Sequence, residues 1–273
     1  NPGIEFCNAE INEIGDGFAE TSIGRYEAAE YLFDSATQHK YNDPKRENLL
    51  QHFSGWVIES ESAAFDPKQP TLFDFRVEQK NECRFAYVLP FTPFKALVEF
   101  TVFSDNLLEP QEYESALRNY VENGIGTKNY KIHETEAGVI PMSDEIHDEY
   151  PFQKTIRIGT SGGYVKASTG YSFRRTQERL QKLVDKLERG ETPKAQRSLR
   201  DRWKMMLDSV LLNVLRQKRH PADDVFTHLF QRNEAKQVLK FLDEETTLPE
   251  DFAIMRSVPM KPFILATAEV VKK

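Results

Sequence analysis

The chain has 273 residues, 29% of them charged, and a net charge of −7. That length is ample for one large domain or two smaller ones with a real core, and the negative charge speaks against a dedicated nucleic-acid binder. Cys7 and Cys83 stand far apart in unlike contexts, which excludes a disulfide scaffold and a cysteine metal cluster and makes a reducing compartment the default.

Residues 1–34 alternate apolar and polar in short runs broken by Gly15, Gly17 and Gly24, the pattern of a strand meander with tight turns. The run 29–33 ends on Asp34, an acid that serves either as a turn cap or as a ligand contact. Polar residues 38–48 read as a surface loop, and 49–58 return to the interior. The strongest strand signal runs from 71 to 103, with turns at Asn81-Glu82 and Thr92-Pro93, and predicts three strands of one antiparallel sheet. On the third, Ala96, Val98, Phe100 and Val102 share one face, while Glu99 lies on the other between Leu97 and Thr101. Two readings of Glu99 stand: a carboxylate turned to water, or a desolvated carboxyl with a raised pKa, the state of a general acid.

A surface helix is expected over 110–122, entered at Pro110 and left at Gly124. A strand over 130–134, a short acidic turn and then 138–142 should follow, Pro141 suiting an edge or a loop against a cavity. Residues 144–150, with His147, read as a solvated loop. The stretch 155–173 opens as a strand, passes Gly159, Gly162 and Gly163, and leads toward a helix expected near Thr169-Gly170. It is either a tight turn or a seat for a phosphate or anionic ring against backbone N–H groups and a helix dipole.

From 174 on the pattern is helical: 174–189 closed by Gly190, 196–219 with Trp203, Leu207, Val210, Leu211 and Val214 on one stripe, one or two short helices over 223–243, and a tail docked through its prolines and Phe263. Residues 174–204 hold eleven basic against five acidic residues. They form either a solvated face or a surface for anionic lipid head groups. The longest apolar stretch, 205–215, is interrupted by Asp208, Ser209 and Asn213 and is shorter than the roughly 20 residues a membrane span requires. No internal repeat, Walker-type loop, histidine–cysteine metal spacing or Ser/His/Asp signature occurs.

Several stretches, in order, resemble the lycopene cyclase family, flavoproteins that close rings at the ends of a carotenoid. They are residues 51–56 (QHFSGW), 71–76 (TLFDFR), 87–91 (YVLPF), 96–101 (ALVEFT), 138–142 (GVIPM), and Gly159-Thr160 with Ser168-Thr169-Gly170-Tyr171. The resemblance implies an α/β fold: an FAD-binding domain of the aromatic-hydroxylase-like type, its N-terminal Rossmann part apparently missing, with an inserted antiparallel substrate sheet and C-terminal helices. It divides the chain into 1–60 and 141–190 as parts of the FAD-binding domain, 61–140 as the substrate domain and 191–273 as a helical region. It implies Glu99 as the catalytic acid, and Asp34, Gly159, Gly162, Gly163, Thr169 and Gly170 as FAD contacts. No metal is implied.

The implied reaction is non-redox closure of lycopene ends to β-rings, with reduced FAD steadying a carbocation and NAD(P)H as outside reductant. The substrate is lycopene or a related polyene, and the setting is cytoplasmic, at a membrane surface. The alternatives are a flavin-dependent hydroxylase or reductase on another apolar molecule, and an inactive fragment. Two departures are visible. No G-x-G-x-x-G turn occurs, and the chain opens on Asn1 without Met, from which an N-terminal truncation is expected. Ala167 also stands where relatives commonly have proline.

Overall fold

The computed structural model describes residues 3–194 and 198–273, which form two compact units. The first comprises Asn1–Asn42, Glu145–Lys166 and Tyr171–Ser198. Strands β1 (Ile11–Ile14), β2 (Phe18–Thr21) and β3 (Gly24–Glu27) form the expected meander, antiparallel in the order 1-2-3. At its β1–β2 tip Gly17 has φ +75°, and its N–H donates to Thr155 Oγ1 at 2.9 Å, while the Thr155 hydroxyl donates to the Gly15 carbonyl at 2.6 Å. This ties the meander to β10 (Thr155–Arg157), which lies parallel to β4 (Leu32–Asp34).

The expected helix after the glycines starts later than Thr169-Gly170. Gly170 is left-handed at φ +72° and cannot open a helix, so α2 (Phe173–Glu188) begins beyond Ser172. It closes at Gly190 as expected, with φ +67° and Glu191 N–H donating to Lys186 O at 2.9 Å.

The second unit comprises Asp43–Asp144, Ala167–Gly170 and Leu199–Lys273. Its sheet runs β6-β7-β8-β5-β9, from β5 (Asn48–Ser60), β6 (Thr71–Asp74), β7 (Cys83–Pro90), β8 (Lys95–Ser104) and β9 (Tyr130–Ser143). The three expected strands are thus part of five, and β5, read from sequence as part of 1–60, lies inside the sheet. The acidic turn expected between 134 and 138 is instead ladder. Residues 135–137 pair with 56–54 of β5, whose length carries one continuous edge strand past them. Pro141 falls on that edge strand, the place in a sheet where proline is tolerated.

One face of the sheet is the core. Ala96, Val98, Phe100 and Val102 are buried with Trp56, Ile58, Ala86 and Val88 against Leu117, Tyr120 and Val121. The last three come from α1 (Pro110–Asn119) and the π-helical turn Tyr120–Ile125 that extends it.

Helices α3 (Leu199–Arg216), α4 (Ala222–Gln231), α5 (Ala235–Leu242), α6 (Leu248–Met255) and α7 (Met260–Val270) complete the unit. The expected α3 start at Gln196 lies outside the described residues. Its inner side departs from the expected apolar stripe: Val210 and Val214 are buried, but so are Lys204, Asp208 and Asn213, while Leu207 and Leu211 are half-buried. Each of the three buried polar groups has a partner: Lys204 Nζ lies 2.6 Å from Asp251 Oδ1, Ser168 donates to Asp208 at 2.7 Å, and Asn213 donates to Glu47 at 2.8 Å. The tail is held by Val258 and Ala266, Phe263 being half-buried. Nor is 144–150 simply solvated: Asp144 is buried and accepts from Glu47 N–H at 2.8 Å.

Candidate functional site

Glu99 sits in the middle of β8 with Tyr87 of β7 on one side and Gly55 of β5 on the other. It is half-buried on the sheet face opposite the main core, among Leu97, Phe53, Val57 and Tyr87, which are also half-buried. Thr101, two residues along the same face, donates its hydroxyl to Glu99 Oε1 at 2.6 Å. Burial is the largest influence on this carboxyl and pushes it up; the Thr101 hydrogen bond opposes, Glu136 adds to the rise, and the result is about 7. At neutral pH a large share of Glu99 therefore keeps its proton.

Aromatic rings frame the same face. Phe73 is held at φ +60°, an unusual backbone for a bulky residue, and its ring packs on Phe85, Tyr87, Phe226 and Phe230 at 5.2–6.1 Å between centroids. Further along β5, Gln51 lies on the same face, about 13 Å from Gly55 at strand rise. A Cβ on Gly170 would stand 2.7 Å from Gln51 Oε1 and 3.2 Å from Ile140, so only glycine lets the 168–170 segment lie this close to the sheet. Gln51 Oε1 is buried without a hydrogen-bond partner. Thr169 is buried.

In the first unit, Asp34 and the glycine turn meet at the carboxyl ends of the parallel strands β4 and β10, the place where open α/β sheets receive ligands. Ile158 N–H donates to Asp34 O at 2.9 Å, and Ser161 Oγ donates to Thr37 O at 2.5 Å. Asp34 Oδ1 caps the turn, accepting from the N–H groups of Ala36 and Thr37 at 2.9 Å each. Burial works to raise this carboxyl, but the Thr37 and Ala36 hydrogen bonds and the Arg157 charge outweigh it and hold it low.

Asp34 Oδ2 and Arg157 Nε, 3.5 Å apart, are buried without hydrogen-bond partners, and Gly159, at φ +60°, faces open space. Gly162 and Gly163 have packing reasons of their own: a Cβ would meet Arg157 O at 2.3 Å in the first case and His147 at 3.0 Å in the second. A buried ion pair with hydrogen-bonding capacity to spare, beside an open glycine, suits the polar part of a dinucleotide cofactor.

The residues named from sequence thus fall into a Glu99 face, shared with Thr169-Gly170 in the second unit, and an Asp34–glycine cluster in the first. Arg157, Gln51 and Glu136 were not singled out from sequence. Gln51 and Glu136 become visible only once the β5–β9 register is known, whereas Arg157 stands beside the glycines and carried a signal. Among the described residues no group of histidine, cysteine and carboxylate side chains is placed to hold a metal, and no helix is long and apolar enough to cross a membrane.

Known proteins bear on this arrangement. A lycopene beta-cyclase from Paracoccus sp. (strain N81106 / MBIC 01143) is 30% identical over 130 residues, covering 45% of this chain and 33% of that protein, so the match spans about a third of the curated relative's length. A geranylgeranyl bacteriochlorophyll reductase-like protein from Thermoplasma acidophilum superposes with a TM-score of 0.52 at 10% identity, over 95% of this chain and 68% of the other, a likeness of fold. The sequence model of the family described as lycopene cyclase protein matches residues 5–268. With nearly its whole length matched, the chain belongs to the lycopene cyclase family.

Proposed function

We propose that this chain handles substrate and contributes to cofactor binding in a lycopene cyclase that closes β-rings at the ends of lycopene without net redox change. The observation that carries the reading is Glu99, a carboxyl raised to about 7 on a half-open, largely apolar sheet face. With Thr101 donating to Oε1, the acid proton resides on Oε2. That proton adds to the terminal double bond of the polyene, the neighbouring double bond closes on the cation, and a ring proton then leaves. One proton is given and one is released, so no reductant or oxygen is consumed.

The apolar side chains around Glu99 bind the polyene end and exclude water, which keeps the acid neutral and the cation unquenched. We assign the polar part of FAD to Asp34, Arg157, Gly159, Gly162 and Gly163 of the first unit; Thr169 and Gly170, which the family resemblance also implies as FAD contacts, belong to the second. The buried Asp34–Arg157 ion pair, whose Oδ2 and Nε atoms have no hydrogen-bond partner, supports the assignment in the first unit. What reduced flavin supplies when bound is negative charge for a developing cation in a dry pocket, with NAD(P)H as the outside reductant.

Membrane contact at the cytoplasmic face is part of the same proposal, because the substrate is insoluble. Of the basic residues 174–204, Lys204 is not available for it, being buried against Asp251. Flotation of the chain with anionic vesicles at low salt is the check, and no binding there counts against it.

Glu99→Gln in the whole protein, expressed in lycopene-producing cells, should leave flavin content unchanged and lower cyclic carotene formation by at least about 100-fold, the lower range for loss of a general acid. Cyclic carotene at the wild-type rate removes Glu99 from the chemistry.

A further inference from the structure

A second carboxylate stands across the sheet from Glu99. Gly55 of β5 pairs with Glu99 of β8 on one side and with Glu136 of β9 on the other, so the three residues form one row across three strands. Side chains in such a row project to the same sheet face. Gly55 puts nothing between its neighbours, and Glu136 leans into the gap: a Cβ on Gly55 would stand 3.0 Å from both Cγ and Oε1 of Glu136 and 3.3 Å from Leu97. The charge of Glu136, whose residue is exposed, pushes the Glu99 carboxyl up. Both carboxyls belong to the second unit, so their approach is a property of one sheet.

We propose that Glu99 and Glu136 form a carboxyl pair bridged over Gly55, in which Glu136 is a positioning residue that holds the acid proton on Glu99 until the polyene end takes it. The inference rests on the assignment of Glu99 as the acid. At rest the Glu99 O–H donates to the Glu136 carboxylate. When the proton passes to the polyene, two carboxylates face each other across a single glycine. Their repulsion favours return of a proton to the pair, and the proton released by the ring balances the one given. Burial by itself already favours the protonated acid, and the second carboxylate adds to that drive.

The other groups facing Glu99 do not supply this effect. Thr101 donates to it and favours the ionised form, and Tyr87 stands opposite on β7. Glu134 lies further along β9, opposite Val57. On the helices packed against the sheet, His228 and Asp224 of α4 pair with each other at 3.3 Å, and Lys204 and Asp208 of α3 are engaged by Asp251 and Ser168. Among the described neighbours, Glu136 is the carboxylate whose charge raises Glu99.

The test is infrared difference titration of the protonated carboxyl band of Glu99, assigned by its disappearance in Glu99→Gln, and it needs neither flavin nor lycopene. In the unaltered chain the band should titrate near 7. Glu136→Ala should move its midpoint down toward the ordinary carboxylate range without altering the circular dichroism spectrum. Gly55→Ala, whose methyl displaces the Glu136 side chain, should shift it in the same direction with Glu136 still present. A midpoint unmoved by both variants overturns the pair. If Glu136→Ala does not fold, the Gly55→Ala result decides alone. In the whole protein, the alkaline limb of the cyclisation rate should move with the midpoint. Titration that shifts as expected in a protein that makes no ring sustains the pair and sinks the cyclase assignment; ring formation dependent on Glu99 with an unshifted midpoint does the reverse.

Discussion

Glu99 shows how a functional group can work against stability. Its carboxyl is raised from the ordinary 4.5 to about 7 in the folded chain. Below pH 4.5 folded and unfolded chains both hold the proton, and the residue has no effect on their balance. Between 4.5 and 7 the unfolded chain releases its proton while the folded one keeps it, so stability falls through this window and the full cost is present above 7. Glu99→Gln is therefore expected to stabilise the chain by about 1 kcal/mol at pH 8 and by nothing at pH 4, read from urea unfolding at the two pH values.

Asp74 has the opposite sign. Burial works to raise it, but the Arg76 side chain, at 2.5 Å, and the Tyr120 hydroxyl, at 2.7 Å, outweigh that and bring it down to about 2. Its contribution is present above the unfolded value of 3.8 and lost as pH falls toward 2. Asp74→Asn should cost about 1–2 kcal/mol at pH 7, and the gap to the unaltered chain should close between pH 4 and 2.

At the scale of elements, helix α3 is fixed by polar partners as much as by its apolar side. Lys204 meets Asp251 of α6 at 2.6 Å and Thr246 at 2.8 Å, and Trp203 donates to the same carboxylate at 2.8 Å. Asp251 is fully buried. Removing the lysine alone strands a buried charge, so Lys204→Ala should cost about 3 kcal/mol or more. The double change Lys204→Met, Asp251→Leu should recover most of that loss in thermal unfolding, because it removes the charge left behind.

Glu47 ties another set of elements together. Fully buried, it accepts from Asn213 of α3 at 2.8 Å and pairs with Arg216 at 3.3 Å and the C-terminal Lys273 at 2.5 Å. These hydrogen bonds hold its carboxyl low although burial works to raise it.

Across the whole molecule the apolar core is unevenly divided. Among the described residues of the first unit, the buried apolar side chains are Ile156, Tyr164, Leu183 and Pro193. Parallel strands are ordinarily covered on both faces, yet Phe33 in the middle of β4 is exposed. The second unit buries a continuous strand face, with Ala96, Val98, Phe100 and Val102 on β8 at or near zero exposure. Local opening follows such differences. Hydrogen exchange of the isolated chain should therefore find the amides of β4 and β10 exchanging well before those of β5 and β8; equal protection in both sets would contradict this division. If FAD is held at the carboxyl ends of β4 and β10, its addition to the whole protein should protect those amides selectively.

Local patterning carried much of this architecture. Alternation along 95–104 identified the core face of β8 and set Glu99 on the other, because a strand's side chains have a period of two wherever the strand lies. The meander, the closure of α2 at Gly190 and the paired short helices α4 and α5 were likewise written in local turn and helix signals. What lay beyond reach was long-range register and burial. Residues 135–137 read as a turn until β5 paired with them, and the polar inner side of α3 makes sense only beside Glu47, Ser168 and Asp251. The pairing of Glu99 with Glu136 is of the same kind: nothing local joins residues on β8 and β9, and only the strand between them, with a glycine at the shared position, brings the two carboxyls to one place.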